Sequence, residues 1–168
     1  MEIYLQRMIY SNNDLERMEK ILNDDKLANQ FKNINDEVMK SICTYFIKKA
    51  GEDIGYIFLL KEDINEALFI NMGIKNCYAN KGYAKQALRE LKSKVLTTLP
   101  VYGSEEDLKI LPLLAKIKKE NEKAIKIFSE YSSEIYSNEN YKTFLFPSEN
   151  EIIFKKNQNK ILSYIKGE

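Results

Sequence analysis

The sequence contains no histidine among its 168 residues. Without an imidazole, serine–histidine and cysteine–histidine nucleophile systems are excluded, and so are histidine-ligated zinc sites. Histidine is also the only side chain whose unperturbed pKa allows it to titrate near neutrality. Any acid–base chemistry must therefore use carboxylate, tyrosine, lysine or cysteine side chains, or water.

Cysteine is almost as scarce, since Cys43 and Cys77 are the only two in the chain. Their separation along the sequence fits neither a C-x-x-C redox pair nor a metal knuckle. We therefore predict that both are reduced residues of the core, and that the protein has no metal site.

The chain also lacks an excess of either charge and any long apolar run. Lysine and arginine number 26 against 25 aspartate and glutamate. A balanced charge provides no overall field to attract nucleic acid or an anionic membrane, and no apolar run approaches the about 20 residues of a membrane span. We expect neither partner. The N-terminal residues do not have the pattern of a signal peptide, which predicts a cytoplasmic protein.

The periodicity of apolar residues in the first half of the chain alternates between helical and strand spacing. It predicts the order β-α-α-β-β-β. The predicted elements are a strand at 3–9, a helix on Leu15, Met18 and Leu22 capped by residues 11–14, a helix on Leu27, Phe31, Ile34 and Val38, and strands at 42–48, 54–60 and 67–74.

The second half continues with a helix after Gly82 and then a mixture of short elements. The predicted elements are a helix on Ala84, Leu88, Leu91 and Val95, a loop at 101–110, a strand at 113–119, a helix at 121–131, strands at 141–146 and 151–156, and a helix at 159–166. This order predicts an α/β (α+β) fold with a mixed, mostly antiparallel twisted sheet flanked by helices. The length fits a single domain over 1–168, in which 147–168 form a C-terminal strand and helix extension.

One segment carries a chemical signal, because a strand runs into a short loop in which Gly82 precedes a helix. The start of a helix presents N–H groups without partners in the helix, together with a partial positive charge, to an anion such as phosphate. A join of this kind also occurs in many domains simply to turn the chain, so both interpretations remain open at this point.

The order of elements and this loop together resemble the GNAT superfamily of acyl-CoA-dependent N-acyltransferases over residues 1–147. The family's loop pattern, Gln/Arg-x-x-Gly-x-Gly/Ala, corresponds here to Ala79, Asn80, Lys81, Gly82, Tyr83 and Ala84. Ala79 departs from that pattern. Because the family binds the pyrophosphate of acetyl-CoA mainly through backbone N–H groups, this departure does not remove the anion site. The resemblance also implies that Met72, Gly73 and Ile74 lie beside the pantetheine arm, which pairs with the strand backbone.

A second stretch, Asn121-x-x-Ala124-x-x-Ile127-Phe128, resembles the family's Asn-x-x-Ala-x-x-Leu-Tyr helix. The resemblance implies that Asn121 contacts the pantetheine and that the residue at 128 lies near the thioester sulfur. The family's tyrosine protonates the departing thiolate there, but a phenyl ring has no proton to give. Tyr131, three residues later on the same predicted helical surface, is the candidate substitute.

Glu66 is the candidate general base, because several members of the family have an acidic residue at the start of this strand and an ammonium must lose a proton before it attacks a thioester. The alternative is an ordinary turn carboxylate. Lys116, at a second position where some relatives have glutamate, is expected to face solvent with the other lysines at 116–126.

The resemblance therefore implies an N-acetyltransferase that moves an acetyl group from acetyl-CoA to a primary amine of a small molecule or a protein. The alternative is a degenerate member that binds acyl-CoA or a protein partner without turnover. The acceptor is open, because it is expected to contact variable loops at 23–40 and 131–140. The final predicted helix, with Ile161, Leu162 and Ile165 in line, could dock on its own domain or form a homodimer.

Overall fold

The computed structural model describes residues 3–24, 27, 41–98 and 111–167. The predicted helix on Leu27, Phe31, Ile34 and Val38 and the predicted loop at 101–110 lie outside these residues, except for Leu27, which is buried. The strands are β1 (Ile3–Arg7), β2 (Ser41–Lys49), β3 (Glu52–Leu60), β4 (Leu68–Ile74), β5 (Leu113–Lys118), β6 (Ser133–Ser137) and β7 (Tyr141–Phe146). The α-helices are α1 (Asn12–Leu22), α2 (Tyr83–Thr98), α3 (Glu122–Ser129), α4 (Glu151–Lys155) and α5 (Gln158–Lys166).

The strands form one seven-stranded sheet in the order β1-β2-β3-β4-β5-β7-β6. Antiparallel pairing joins β1 with β2, β2 with β3, β5 with β7 and β6 with β7. In contrast, β4 and β5 run parallel, with Leu68 opposite Leu113 and Phe69 opposite Leu114. The predicted mixed, mostly antiparallel sheet flanked by helices is therefore confirmed, and β4 and β5 are its parallel neighbours.

The chain divides into two compact units, one of residues 1–60 and 71–91 and one of residues 61–70 and 92–168. The first contains β1 to β3, most of β4 and the first half of α2. The second contains β5 to β7 with α3, α4 and α5. The single-domain organisation stays a prediction.

In the first unit, β2 and β3 form a hairpin whose two-residue turn is Ala50-Gly51. Both turn residues have positive φ, +50° and +81°, which is the backbone that the tight hairpin turn with the twist of the strands requires. Seven consecutive residues of β3 are buried, from Ile54 to Leu60. The hairpin therefore provides the core of this unit.

Helix α1 packs on this hairpin. It begins after Ser11, whose hydroxyl oxygen accepts a hydrogen bond from the Asp14 N–H, as the predicted cap requires. Arg17 donates two hydrogen bonds to the Asp53 carboxylate of β3, at 2.8 and 2.9 Å. Met18 is buried, but Leu15 is 40% exposed, so its predicted place on the buried face is wrong. The buried stripe instead runs through Met18, Ile21 and Leu22.

The second unit differs from the prediction at three elements. A strand, β6, lies within residues 131–140, which were expected to be a loop. Helix α3 ends at Ser129 rather than at 131. The segment expected to be a strand at 151–156 is helix α4, which places Ile152 in solvent and buries Phe154.

One cysteine was also assigned to the wrong environment. Cys43 is buried in β2, as expected, whereas Cys77 is exposed in the 3-10 turn Asn76–Tyr78. Among the helices that the structure describes, none is long and apolar enough to cross a membrane.

Candidate functional site

The loop between β4 and α2 has an unusual backbone. A 3-10 turn at Asn76–Tyr78 follows the strand, and then Asn80 and Gly82 both adopt positive φ, +62° and +80°. Helix α2 begins immediately afterwards, and its first hydrogen bond runs from the Gln86 N–H to the Gly82 carbonyl at 3.2 Å. The preceding N–H groups of the first turn therefore have no partner within the helix.

Space and charge at this helix start suit an anion. Gly82 is exposed, and nothing lies within 4 Å of the position that a Cβ atom would take there. The first turn of α2 contains no acidic residue. Lys81 precedes the helix and Lys85 lies in its first turn. The helix dipole and the absence of a nearby carboxylate in this turn favour a negatively charged ligand.

Tyr78 fixes the loop to the end of the β2–β3 hairpin. Its hydroxyl donates a hydrogen bond to the Glu52 carboxylate, which raises the pKa of Tyr78 to about 12. The Tyr78 ring also contacts the Tyr83 ring, with centroids 6.4 Å apart. The Lys49 ammonium lies 5.4 Å from the centroid of the Tyr83 ring. Both ends of the loop are therefore attached to the hairpin turn.

A further bond holds the beginning of the loop, because the Asn76 N–H donates to the Asp24 carboxylate at 2.9 Å. The sequence analysis missed Asp24, Lys49 and Glu52 as supports of the loop. Local patterns could not reveal them, since Glu52 and Tyr78 are 26 positions apart and Asp24 and Asn76 are 52 positions apart.

The end of β4 makes close backbone contacts. A Cβ at Gly73 would lie 2.6 Å from the Tyr56 ring, and a Cβ at Gly55 would lie 2.3 Å from the Gly73 carbonyl oxygen. Both positions thus require glycine for packing. Met72 and Gly73 are half-buried, and Ile74 is buried. Their contact with a pantetheine arm stays a prediction.

In the second unit, Asn121 caps helix α3. Its side-chain oxygen accepts a hydrogen bond from the Ala124 N–H at 3.2 Å, and the side chain is exposed. At the other end of the helix, Phe128 is only 6% exposed. Its ring packs edge-on against Phe146, with centroids 6.4 Å apart and planes at 72°. Phe128 is thus a core residue in an apolar contact.

Tyr131 lies beyond α3, so the expectation that it shares a helical surface with Phe128 is wrong. Its N–H donates to the Phe128 carbonyl in the turn that ends the helix, at 3.1 Å. Its own carbonyl accepts from the Ser148 N–H at 2.9 Å. The side chain is half-buried, with the Lys92 ammonium 5.7 Å from the ring centroid. A proton-donating role for Tyr131 stays a prediction.

Glu66 lies in the loop before β4 and forms an ion pair with Lys160 of α5. The distance from Nζ to Oε1 is 2.7 Å. The Asn65 N–H donates to the other carboxylate oxygen at 3.1 Å. The hydrogen bond from Lys160 lowers the pKa of Glu66. A lowered pKa makes Glu66 a weaker general base and favours its charged form.

Two further expectations concern Lys116 and a metal site. Lys116 is exposed and lies 4.4 Å from the centroid of the Tyr141 ring, as a lysine on a solvated face would. Within the described residues, no group of three or more cysteine, aspartate or glutamate side chains could hold a metal ion.

The predicted residues thus fall into three places. Residues 72–74 and 79–84 form one continuous strand, loop and helix start in the first unit. Asn121, Phe128 and Tyr131 lie at the two ends of α3 in the second unit. Glu66 is attached to α5, which the sequence analysis did not connect with the site.

No model of a known protein family matches the chain, and no curated protein matches it. Solved structures match the chain by their fold. A dodecameric spermidine N-acetyltransferase from Vibrio cholerae is 13% identical, with a TM-score of 0.60 over 90% of this chain and 96% of that one. A GNAT family acetyltransferase from Elizabethkingia anophelis with acetyl-CoA bound is 14% identical, with a TM-score of 0.58 over 87% and 98%.

The N-acetyltransferase PseH from Campylobacter jejuni is 14% identical, with a TM-score of 0.56 over 88% of this chain and 99% of that one. At this level of identity the likeness shows the fold. The chain therefore has the fold of the GNAT acetyltransferases.

Proposed function

We propose that this protein is an acyl-CoA-dependent N-acetyltransferase that transfers the acetyl group of acetyl-CoA to a primary amine. The observation that carries this proposal is the loop after β4, in which Asn80 and Gly82 turn the chain with positive φ into the start of α2. The shared fold supports it, and one neighbour with that fold has acetyl-CoA bound.

The pyrophosphate would be bound by the backbone N–H groups of residues 80–84. Gly82 suits this contact because it has no Cβ to separate phosphate from backbone. Ala79 supplies its backbone alone, which is sufficient if N–H groups make the contacts. Met72, Gly73 and Ile74 would pair their backbone with the amides of the pantetheine arm, and Asn121 would contact the arm.

The reaction joins the amine nitrogen to the acetyl carbonyl carbon and breaks the bond from that carbon to sulfur. The ammonium must first lose one proton, and the departing thiolate must gain one. A thioester held next to an amine already benefits from proximity, and a well-placed acid or base adds about 10²- to 10⁴-fold. We assign these proton transfers to Glu66 and Tyr131 as proposals.

A second function, binding of acyl-CoA without turnover, is favoured by one observation. The residue in the place of the family's proton-donating tyrosine is Phe128, which is buried against Phe146 and has no hydroxyl. Loss of this group does not affect the loop that would bind the cofactor. Binding and catalysis must therefore be measured separately.

The test combines two measurements on the full chain. Native mass spectrometry with acetyl-CoA should show a complex of one cofactor per chain. Release of CoA thiol should then be followed with a panel of acceptors: an N-terminal peptide, a lysine peptide, a polyamine, an amino acid and an aminoglycoside. Thiol release with at least one acceptor is expected. A complex without thiol release would support the binding-only function, and the absence of a complex would contradict both.

A further inference from the structure

A cleft of about 270 Å³ lies between the loop before β4 and helix α5. All of its residues belong to the second unit. It is lined by Asp63, Ile64, Asn65, Glu66, Lys160, Ser163 and Tyr164. Its volume is close to the lower end of the range typical of small-molecule sites.

Two contacts fix the walls of the cleft. The Tyr164 hydroxyl donates a hydrogen bond to the Glu62 carboxylate at 2.7 Å, and the Tyr164 ring contacts Phe69 of β4, with centroids 6.0 Å apart. Ile64 is buried beneath the loop. Helix α5 is therefore attached to the loop by a hydrogen bond and to β4 by a ring contact, which keeps the cleft preformed.

The charge of the lining is predominantly negative. Asp63 and Glu66 contribute carboxylates, and Lys160 contributes the one ammonium among the lining residues. Among the residues that the structure describes, none forms an ion pair with the Asp63 carboxylate. A ligand with positive charge would therefore complete the charge balance of the cleft.

Lys160 indicates what kind of cation fits. Its ammonium already lies 2.7 Å from Glu66, although the Lys160 side chain is 67% exposed and the Glu66 side chain only 17% exposed. A pair with one partner in solvent contributes little to stability. The flexible lysine can therefore leave and give its place on Glu66 to the ammonium of a ligand.

We propose that this cleft binds a small aliphatic amine as its ammonium cation, with Glu66 and Asp63 as anchors and Lys160 as a built-in competitor. The identification of that amine as the acetyl acceptor rests on the proposed function. Glu66 then serves to hold the ammonium of the acceptor, which its charged form suits.

Calorimetric titration of the full chain without acetyl-CoA tests the cleft, using 1,4-diaminobutane as the probe and butane-1,4-diol as the uncharged control. The diamine should bind and the diol should not. Lys160→Met should tighten the diamine about fivefold by removing the competitor, and Glu66→Gln and Asp63→Asn should each weaken it by about the same factor.

Lys155→Met is the matched control, because Lys155 also forms an exposed pair with a glutamate, Glu151, at 3.2 Å on the neighbouring helix. It should leave the titration unchanged. The proposal is overturned if Lys160→Met does not bind more tightly than Lys155→Met, or if Glu66→Gln binds as well as the original protein. Thermal melts of each variant confirm that it is folded.

The same proteins separate this inference from the proposed function. If the diamine binds as expected but no acceptor gives thiol release, the proposed acetyl transfer is wrong, and the proposed amine binding in the cleft is supported. If thiol is released while the cleft variants leave both diamine binding and the KM for amines unchanged, the assignment of amine binding to the cleft is wrong, and the proposed acetyl transfer is supported.

Discussion

The loop that begins α2 and the turn that ends α3 each differ at one residue from the sequence pattern that they resemble, and the two differences have different physical consequences. In the loop, Ala79 stands where the pattern has glutamine or arginine, and Asn80 and Gly82 both have positive φ. At the end of α3, the buried Phe128 stands where the pattern has tyrosine, and its phenyl ring has no hydroxyl, whatever the backbone does.

The difference follows from what each region contributes. An anion site built from backbone N–H groups depends on φ, on the helix dipole and on the absence of a Cβ, so most side-chain changes leave it intact. Proton transfer depends on one particular group with a suitable pKa. A chain can therefore retain cofactor binding while it loses catalytic rate.

The largest effect is expected from charge in the loop. We expect Gly82→Asp to weaken CoA about tenfold or more relative to Gly82→Asn, a difference of about 1.4 kcal/mol, because aspartate repels the pyrophosphate. The two variants have nearly the same shape, and both place a side chain on a residue with φ +80°. Calorimetry with CoA measures the difference directly.

Gly167→Asn is the control for strain, since Gly167 also has positive φ, +79°, and open space at its Cβ position. It should lower the melting temperature slightly and leave CoA affinity unchanged. Equal affinity of Gly82→Asp and Gly82→Asn would mean that the pyrophosphate does not bind at this loop, which would remove the comparison between the two regions.

Much of this first region could be predicted from sequence, because it depends on local signals. The apolar run of β4, the glycine at the turn and the helical spacing after it each act over a few residues. The supports of the loop could not, since the bonds of Glu52 with Tyr78 and of Asp24 with Asn76 join distant parts of the chain.

The secondary structure around and after the turn that ends α3 was predicted less well, and the reasons are also physical. Strand β6 is an edge strand with the sequence Ser-Glu-Ile-Tyr-Ser and no buried residue, so it lacks the apolar signal of a strand. Helix α4 has three consecutive large apolar residues, Ile152 to Phe154, which suggested a strand. A helix of five residues is too short for helical periodicity to reveal it.

A smaller effect is expected when the missing hydroxyl is supplied at the end of α3. Phe128→Tyr should raise kcat for acetyl transfer severalfold, with little change in CoA affinity, because it adds a proton donor and keeps the ring. If the hydroxyl has no partner beside Phe146, it should also cost about 1–3 kcal/mol of stability. Steady-state thiol release and thermal melts measure the two effects.

Tyr131→Phe sharpens this test. If Tyr131 now donates the proton, its removal should lower kcat in the original protein and matter less in the Phe128→Tyr background, because two groups with one role are not additive. An unchanged kcat in the single variant would exclude Tyr131 as the acid. An unchanged kcat in Phe128→Tyr would show that residue 128 is not near the sulfur.

The smallest effect is expected from the support of the loop. Tyr78→Phe removes the hydrogen bond to Glu52 but keeps the ring contact with Tyr83, so the loop should remain in place with more freedom. CoA binding should weaken by about twofold to threefold, since an exposed charged contact contributes little.

Glu52→Ala should have a similar effect, and the double variant with Tyr78→Phe should be no worse than either single one, because each change removes the same hydrogen bond. Tyr4→Phe, which removes an exposed hydroxyl from β1, is the control and should change nothing.

The raised pKa of Tyr78, about 12, keeps its proton in place throughout the neutral range. Its contribution is therefore present below pH 10, is lost only as the pH rises through about 12, and adds no pH dependence to CoA binding between pH 7 and 9. An additive double variant would show that Tyr78 and Glu52 act on the loop separately, and a pH-dependent difference between Tyr78→Phe and the original protein in that range would contradict the assigned bond.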